Sequence, residues 1–377
     1  MRLWARAALP VLMTGTLVVA VGCGSGPSAD ELATVDYAPT TTDEWAVSTP
    51  EEHGLDPDAV AEMYWRADQL ESIYSLLVLK DGELVAEKYW RAGSPDYQQN
   101  VQSVTKSYTG ALVGLAIEDG CIPSVDEPMM TYFPELDARV RDERLYDITI
   151  EQLLQMRAGY PWEESYPEGV ELFYQGFRPS SLLRVPLVRD PGTGGDYSNL
   201  SSHLLAIIVS RGCDADLLDF AQEHLFDPLD ISVSDWMVDW EGYRLGYAEL
   251  AVSAMDMARF GQMYLDEGTV DGEQVVPASW VEDSWQAYSE GMWCCKVGDN
   301  FDRTAYGYQW WTIDAGPHTY HLAWGHGGQQ IAVLPEMDMV VVVTADPLYH
   351  QSGDGPWALE TANLNLVATF IAGLPQE

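Results

Sequence analysis

Lysine is scarce in this chain: only Lys80, Lys88, Lys106 and Lys296 occur in 377 residues. Lysine and arginine together number 19 against 59 acidic residues, a formal net charge of −40 at pH 7. So acidic a surface repels phosphate backbones and anionic lipid heads, which disfavours nucleic acid and anionic membrane surfaces as partners. The chain lacks Gly-x-Ser-x-Gly, an argument against the nucleophile elbow of a Ser-His-Asp hydrolase. It lacks His-Glu-x-x-His, and no Cys/His spacing resembles a zinc site, so no metal and no cofactor is expected. Internal repeats are absent. With 47% hydrophobic and 21% charged residues the chain lies in the globular range, long enough for one large domain or two ordinary ones.

Arg2 and Arg6 precede an apolar run from Ala7 to Ala20, the charge-then-apolar order of a secretory signal over residues 1–22. The run is too short for a mature membrane span. Its end, Val19-Ala20-Val21-Gly22-Cys23, resembles the lipobox of bacterial-type lipoproteins, with Ala20 where leucine is more typical. That resemblance implies lipidation at Cys23 and a protein tethered to the outer face of a membrane, periplasmic or at the cell surface. Residues 23–45 lack apolar periodicity and read as a flexible acidic tether to a body spanning 46–377. Four cysteines then remain (Cys121, Cys213, Cys294, Cys295), an even number compatible with disulfides of open pairing in an oxidising compartment.

Within the body, Tyr74–Leu79 and Glu83–Trp90 are apolar-rich and joined through Lys80-Asp81-Gly82, the signature of a hairpin. Val104–Asp119 has helical spacing with Gly120 as a stop. The middle of the chain, about 120–265, is mainly helical in pattern, including Ser201–Arg211, Leu217–Leu225 and Ala254–Leu265. Strand patterns return at Gly307–Ile313, Thr319–Trp324, Gln330–Leu334 and Met337–Thr344, and a last helix covers Glu360–Ile371. Strands at both ends around a helical middle predict an α+β fold, an antiparallel sheet flanked by helices with a helical region inserted.

Ser103-Val104-Thr105-Lys106 puts a hydroxyl and an amine one helical turn apart on the same face, at a helix N-terminus that favours developing negative charge. Tyr197-Ser198-Asn199 and His326-Gly327-Gly328-Gln329 are the other polar clusters with chemical potential. A phenol near a lysine ammonium has its pKa lowered, which would make Tyr197 a general base or the partner of one. Trp324 precedes the third cluster and is a candidate for the pocket, while Tyr160–Arg178 has little core pattern and is a candidate covering loop.

These clusters resemble the signature of the serine β-lactamase and penicillin-binding-protein superfamily: Ser-x-x-Lys, Tyr-x-Asn and a Lys-Thr-Gly-like turn. The likeness is to its class C and carboxylesterase branch, especially proteins similar to 6-aminohexanoate-dimer hydrolase. It extends to Ser103–Leu115, Ala254–Leu265, Tyr306–Trp311 and Gly325–Asp338. The resemblance implies a β-lactamase/transpeptidase-like α/β sandwich with Ser103 as acylated nucleophile and Lys106 as proton acceptor. It makes Tyr197 the base that activates water and Asn199 a support for Lys106 and a substrate contact. The Ser103 and Gln329 N–H groups would form the oxyanion hole, with His326, Gly327 and Gly328 beside the substrate. His326 stands where β-lactamases usually carry lysine, and a mostly neutral histidine makes the site less demanding of an anionic substrate.

The expectation is therefore an exported serine hydrolase that cleaves an ester or amide of a small molecule through an acyl-enzyme, with no cofactor. A β-lactamase or D,D-peptidase acting on cell-wall material is the enzymatic alternative. A lipid-anchored binding or sensor protein that keeps the fold without turnover is the other.

Overall fold

A computed structural model describes residues 26–40, 45–292, 297–298, 300–349 and 355–376, with backbone alone at 355 and 356. The expected signal segment, Cys23, Cys294 and Cys295 lie outside the described residues. The frame is an eight-stranded antiparallel sheet. Its strands are β1 (Ile73–Lys80), β2 (Glu83–Tyr89), β3 (Ser289–Glu290), β4 (Arg303–Tyr306), β5 (Trp311–Ala315), β6 (His318–Gly325), β7 (Gln329–Leu334) and β8 (Met339–Ala345). They lie in the order β2-β1-β8-β7-β6-β5-β4-β3, so the first hairpin pairs with the last strand. The Asp81-Gly82 turn takes the left-handed conformation at both residues, φ 52° and 75°, which matches the twist of a two-residue hairpin.

Both faces of the sheet are covered, so β7 and β8 are buried at every residue and read as unbroken apolar runs. The period of two divides the core. Leu76, Val78, Val341 and Val343 face helices α1 (Pro57–Ala67) and α7 (Gly355–Ala372). Leu77, Leu79, Val340 and Val342 share the other core cluster with α2 (Thr105–Glu118) and α5 (Ala254–Leu265).

Between β2 and β3 the chain builds the helical region, which also holds α3 (Pro167–Gln175), α4 (Asn199–Gly212) and α6 (Ala278–Trp285). Helix α2 packs on α4. Their N-terminal ends meet where Lys106 contacts Asn199, and their C-terminal ends are joined by the Cys121–Cys213 disulfide, Cα–Cα 4.8 Å. The two helices therefore run side by side in the same direction.

Two expectations differ from what is observed. The segment Gly307–Ile313 is not one strand: residues 307–310 form a turn, with Gln309 in the left-handed region at φ 63°. That turn serves polar bonding rather than pairing, since Gln309 accepts from Ser107 Oγ and Ser202 Oγ and donates to the Leu154 carbonyl, tying α2 to α4. Residues 26–40 do not hang free as a tether. Ala29–Leu32 forms a short helix against α1, the Glu87 N–H donates to the Tyr37 carbonyl at 2.8 Å, and the Tyr37 ring lies 5.3 Å from that of Tyr64. One aromatic anchor in an extended segment produces no periodicity, which is why the pattern did not reveal it. The expected helix over 217–225 is present, α-helical at Leu217–Ala221 and continuing as a π-helix over Gln222–Phe226.

The disulfide closes a sequence separation of 92 residues. Replacing Cys121 and Cys213 with serine should lower stability by about 2–4 kcal/mol, read as a drop in the urea midpoint. An unchanged midpoint would mean that helix packing alone holds this pair.

Candidate active site

Ser103 sits in a tight turn, Gln102–Val104, that leads directly into α2. Gln102, the residue before it, is held at φ 52°, a left-handed conformation that costs a non-glycine residue on the order of 1 kcal/mol. The Asn100 side-chain oxygen compensates by accepting from the Gln102 N–H at 2.7 Å. Strand β6 ends against this turn, and only glycine fits at 325: a Cβ there would lie 2.3 Å from the Val101 carbonyl oxygen. The Ser103 turn is thus pressed against the sheet on one side and opens to a cavity on the other.

Lys106 is 1% exposed, and three acceptor atoms surround its amine: Ser103 Oγ at 2.9 Å, Asn199 Oδ1 at 2.8 Å and the Tyr247 carbonyl at 3.0 Å. Burial pulls its pKa from 10.5 down to about 7, against the opposing pull of the Glu163 and Glu164 carboxylates. Two of the three partners are carbonyl-type oxygens that only accept. A neutral amine satisfies both with its two N–H bonds and turns its lone pair to the one partner that can donate, the Ser103 hydroxyl. The arrangement can therefore take up a proton from Ser103.

The phenol of Tyr197 interacts with Ser103, but burial together with the Glu164, Glu360 and Glu163 carboxylates pushes its pKa well up. This reverses the expected direction: the phenol is not lowered by lysine, because the lysine beside it is the group that loses charge on burial. The Tyr197 ring stacks on Trp311 at 5.6 Å and meets Tyr306 edge-on at 6.2 Å. The Lys106 amine lies 4.8 Å from its ring centre.

Glu163, Glu164, Tyr247 and Glu360 had no signal in the sequence beyond their residue type. Glu163 is fully buried and accepts from Ser198 Oγ at 2.6 Å and from the Asn199 and Leu200 N–H groups at 3.0 Å each. It thereby seals the N-terminus of α4 and fixes Asn199, whose own Oδ1 fixes Lys106. Burial still raises the Glu163 pKa despite these donors. Glu360 on α7 accepts from Trp324 Nε1 at 2.8 Å and the Gly327 N–H at 3.0 Å, and pairs with His326 Nδ1 at 2.6 Å. That pair raises the His326 pKa above the ordinary histidine value, favouring the charged form more than the sequence alone suggests.

A cavity of about 470 Å³ opens over Ser103, with Tyr197, Asn199 and His326 in its wall. Gly327, Gly328 and Gln329 are outside that wall. The Gln329 side chain turns inward, accepting from Gln99 and the Ala345 N–H and donating to the Ala345 carbonyl, which leaves its backbone alone for the expected oxyanion role. The segment 160–178 does border the cavity, through Trp162 and Glu164 and through Phe173 and Tyr174 on α3, so it is a helix-bearing wall rather than a bare loop. Among the described residues no group of three His, Cys, Asp or Glu side chains is placed to hold a metal ion.

An antiparallel sheet closed by both chain ends, with serine, lysine and tyrosine meeting at the insertion, defines an active-site serine hydrolase. The Beta-lactamase family profile matches residues 67–361, and the chain belongs to that family. It is 30% identical over 285 residues to the 6-aminohexanoate-dimer hydrolase of Paenarthrobacter ureafaciens, covering 71% of each chain. Its fold is similar to that of an octameric penicillin-binding protein homologue from Pyrococcus abyssi (TM-score 0.60, 20% identity, covering 82% of this chain and 76% of that one). It is also similar to that of EstCE1, described as a hydrolase with promiscuous acyltransferase activity (TM-score 0.64, 16% identity, covering 84% and 98%).

The scarcity of lysine makes the amine directly observable. With lysine labelled by carbon-13 at Cε, one of the four side-chain signals, identified by its loss in Lys106→Ala, should titrate with a midpoint near pH 7. A Lys106 signal that moves only above pH 9.5 would refute the neutral-amine geometry.

Proposed function

We propose that this protein is an exported serine hydrolase that cleaves an ester or amide bond through an acyl-enzyme on Ser103. The observation that carries the reading is the buried Lys106 amine, whose two acceptor-only partners leave its lone pair for the Ser103 proton. In acylation, Ser103 Oγ attacks the carbonyl carbon while its proton passes to Lys106 Nζ. The backbone N–H groups of Ser103 and Gln329 are the proposed oxyanion donors. As the tetrahedral adduct collapses, Tyr197, which burial keeps protonated, gives its proton to the departing oxygen or nitrogen.

The phenolate left behind then faces the Lys106 ammonium, and that pairing stabilises it. In deacylation the phenolate takes a proton from the attacking water, and Ser103 Oγ leaves with the proton held on Lys106. Each group returns to its starting state, and the net reaction is hydrolysis. The family relative named for 6-aminohexanoate-dimer hydrolysis supports an amide or ester as the bond broken. The His326–Glu360 pair supports ranking β-lactam and D,D-peptidase chemistry second, because His326 Nδ1 is already engaged by a carboxylate of the protein before any substrate carboxylate arrives.

We also propose lipid anchoring at Cys23. The lipobox-like end of the leader at Val19–Cys23 supports it, and the Cys121–Cys213 disulfide supports the export it requires, since such bonds persist in oxidising compartments.

Two measurements test these readings. On p-nitrophenyl butyrate, wild type should turn over with kcat/KM rising through about pH 7 as Lys106 loses its proton, and Ser103→Ala should lose about 10⁴-fold or more. Faster turnover of a chromogenic cephalosporin would promote the β-lactamase reading, and stoichiometric labelling of Ser103 without turnover would promote the sensor. In a bacterial host, Cys23→Ser should move the protein from the membrane fraction to the soluble exported fraction. Equal partition of both forms would remove the anchor.

A further inference from the structure

His203 lies one turn of α4 beyond Asn199 and is completely buried, as is the Asp239 carboxylate that it meets. The pair takes no part in the chemical steps above. Packing does not call for it: the next residues of the helix, Leu204, Leu205, Ala206 and Ile207, are apolar, and a buried polar pair costs free energy unless its bonds are made. Here they are made. Asp239 accepts from the Glu241 and Tyr243 N–H groups at 2.7 and 3.0 Å, and its other oxygen meets His203 Nε2 at 3.2 Å. His203 Nδ1 accepts from the Gly246 N–H at 3.5 Å. A ring nitrogen that accepts carries no proton, so the proton sits on Nε2 and is donated to Asp239.

These bonds hold a small hairpin, bridged at Val238 and Arg244, onto the helix. The residue after Gly246 is Tyr247, whose carbonyl is one of the three partners of Lys106. Gly246 itself is wedged between two helices. Its carbonyl accepts from Thr109 Oγ1 on α2 at 2.9 Å, and a Cβ on it would lie 2.4 Å from the Ser202 carbonyl oxygen on α4. The His203 ring also meets the Tyr247 ring edge-on at 5.8 Å. His203 thus joins the helix that presents Asn199 to the segment that presents the Tyr247 carbonyl, and these are the two acceptor-only partners of the amine. A buried network with its bonds satisfied rigidifies one arrangement, and here that arrangement sets where the two oxygens stand.

We propose that His203 is a positioning residue for acylation: bonded to Asp239 and Gly246, it holds the Tyr247 carbonyl on Lys106 and so aims the amine's lone pair at Ser103. The proposal rests on the hydrolytic reading and adds to it a residue that touches neither substrate nor reacting atoms. Without His203 the hairpin is free to lift from α4, one N–H of the amine loses its acceptor, and water enters to satisfy it. Loss of the carbonyl dipole alone would lower the amine's pKa. Burial, however, is the largest cause of the present depression, so hydration outweighs the dipole and the pKa rises. The titratable groups that face Lys106, namely Tyr197, Tyr247, Glu163 and Glu164, all remain in place.

The test uses the full-length protein labelled with carbon-13 at lysine Cε. In His203→Leu, which keeps apolar bulk and removes both bonds, the Lys106 midpoint should move from near pH 7 to about pH 8 or higher. On p-nitrophenyl butyrate, kcat should fall about 10²-fold while KM changes by less than about threefold. His203→Gln, whose amide offers one donor and one acceptor, should bring back the midpoint and most of kcat. Asp239→Asn turns an amide donor toward the Glu241 and Tyr243 N–H groups and should shift the midpoint in the same direction. It decides the matter if His203→Leu does not fold.

A Lys106 midpoint that stays in place in folded His203→Leu, or in Asp239→Asn, overturns the proposal even where kcat drops, because a merely structural loss lowers activity without hydrating the amine. Equal shifts in His203→Leu and His203→Gln overturn it as well. If wild type hydrolyses no ester while the midpoint moves in His203→Leu and returns in His203→Gln, the hold of His203 on the amine stands and the hydrolytic reading falls.

Discussion

The burial of one amine organises this protein. A charged lysine taken out of water costs several kcal/mol unless it is paired, and here burial lowers the amine's pKa to about 7 without a salt bridge among the described residues to hold the charge. Three partners from separate parts of the chain, Ser103, Asn199 and Tyr247, converge on Lys106 Nζ within 3.0 Å. Each needs its own support. The Gln102 turn presents Ser103, Glu163 seals the helix that presents Asn199, and Gln309 bonds to both helices from a turn in the sheet. The disulfide clamps the far ends of the same two helices. Much of what looks like architecture is the shell around a low-pKa amine.

The two bases suggested by the motif are divided by their environments. Burial acts on both the amine and the phenol, but it disfavours opposite protonation changes: it strips the proton from an ammonium and retains the proton on a phenol. Lys106 is thereby prepared to accept and Tyr197 to donate. The same burial would make an ion pair of the two after the first step, which is when a phenolate is needed. Both roles follow from one desolvated pocket without a third charged group in contact.

Electrostatics on a larger scale point the same way. An excess of 40 negative charges sets the field outside, and the cavity repeats its sign with Glu164. His326, the residue that departs from the lysine of typical β-lactamases, is matched by Glu360 from the last helix.

Sequence by itself determined the frame and the candidate reacting groups. The Asp81-Gly82 hairpin, the buried runs of β7 and β8 and the Ala254–Leu265 helix were legible because periodicity and turn chemistry are local properties. Ser103, Lys106, Tyr197 and Asn199 were legible because their spacing in the chain carries the family resemblance. What only tertiary structure decided lies between segments distant in sequence. Glu163 reaches Ser198 across 35 residues, His326 and Glu360 come from a strand turn and the final helix, and Gln309 leaves its strand to bond helices about 100 and 200 residues earlier. The direction in which Tyr197 shifts belongs to the same class. A pKa depends on how much water the fold removes and which charges it leaves nearby, and neither quantity is written in the order of the residues.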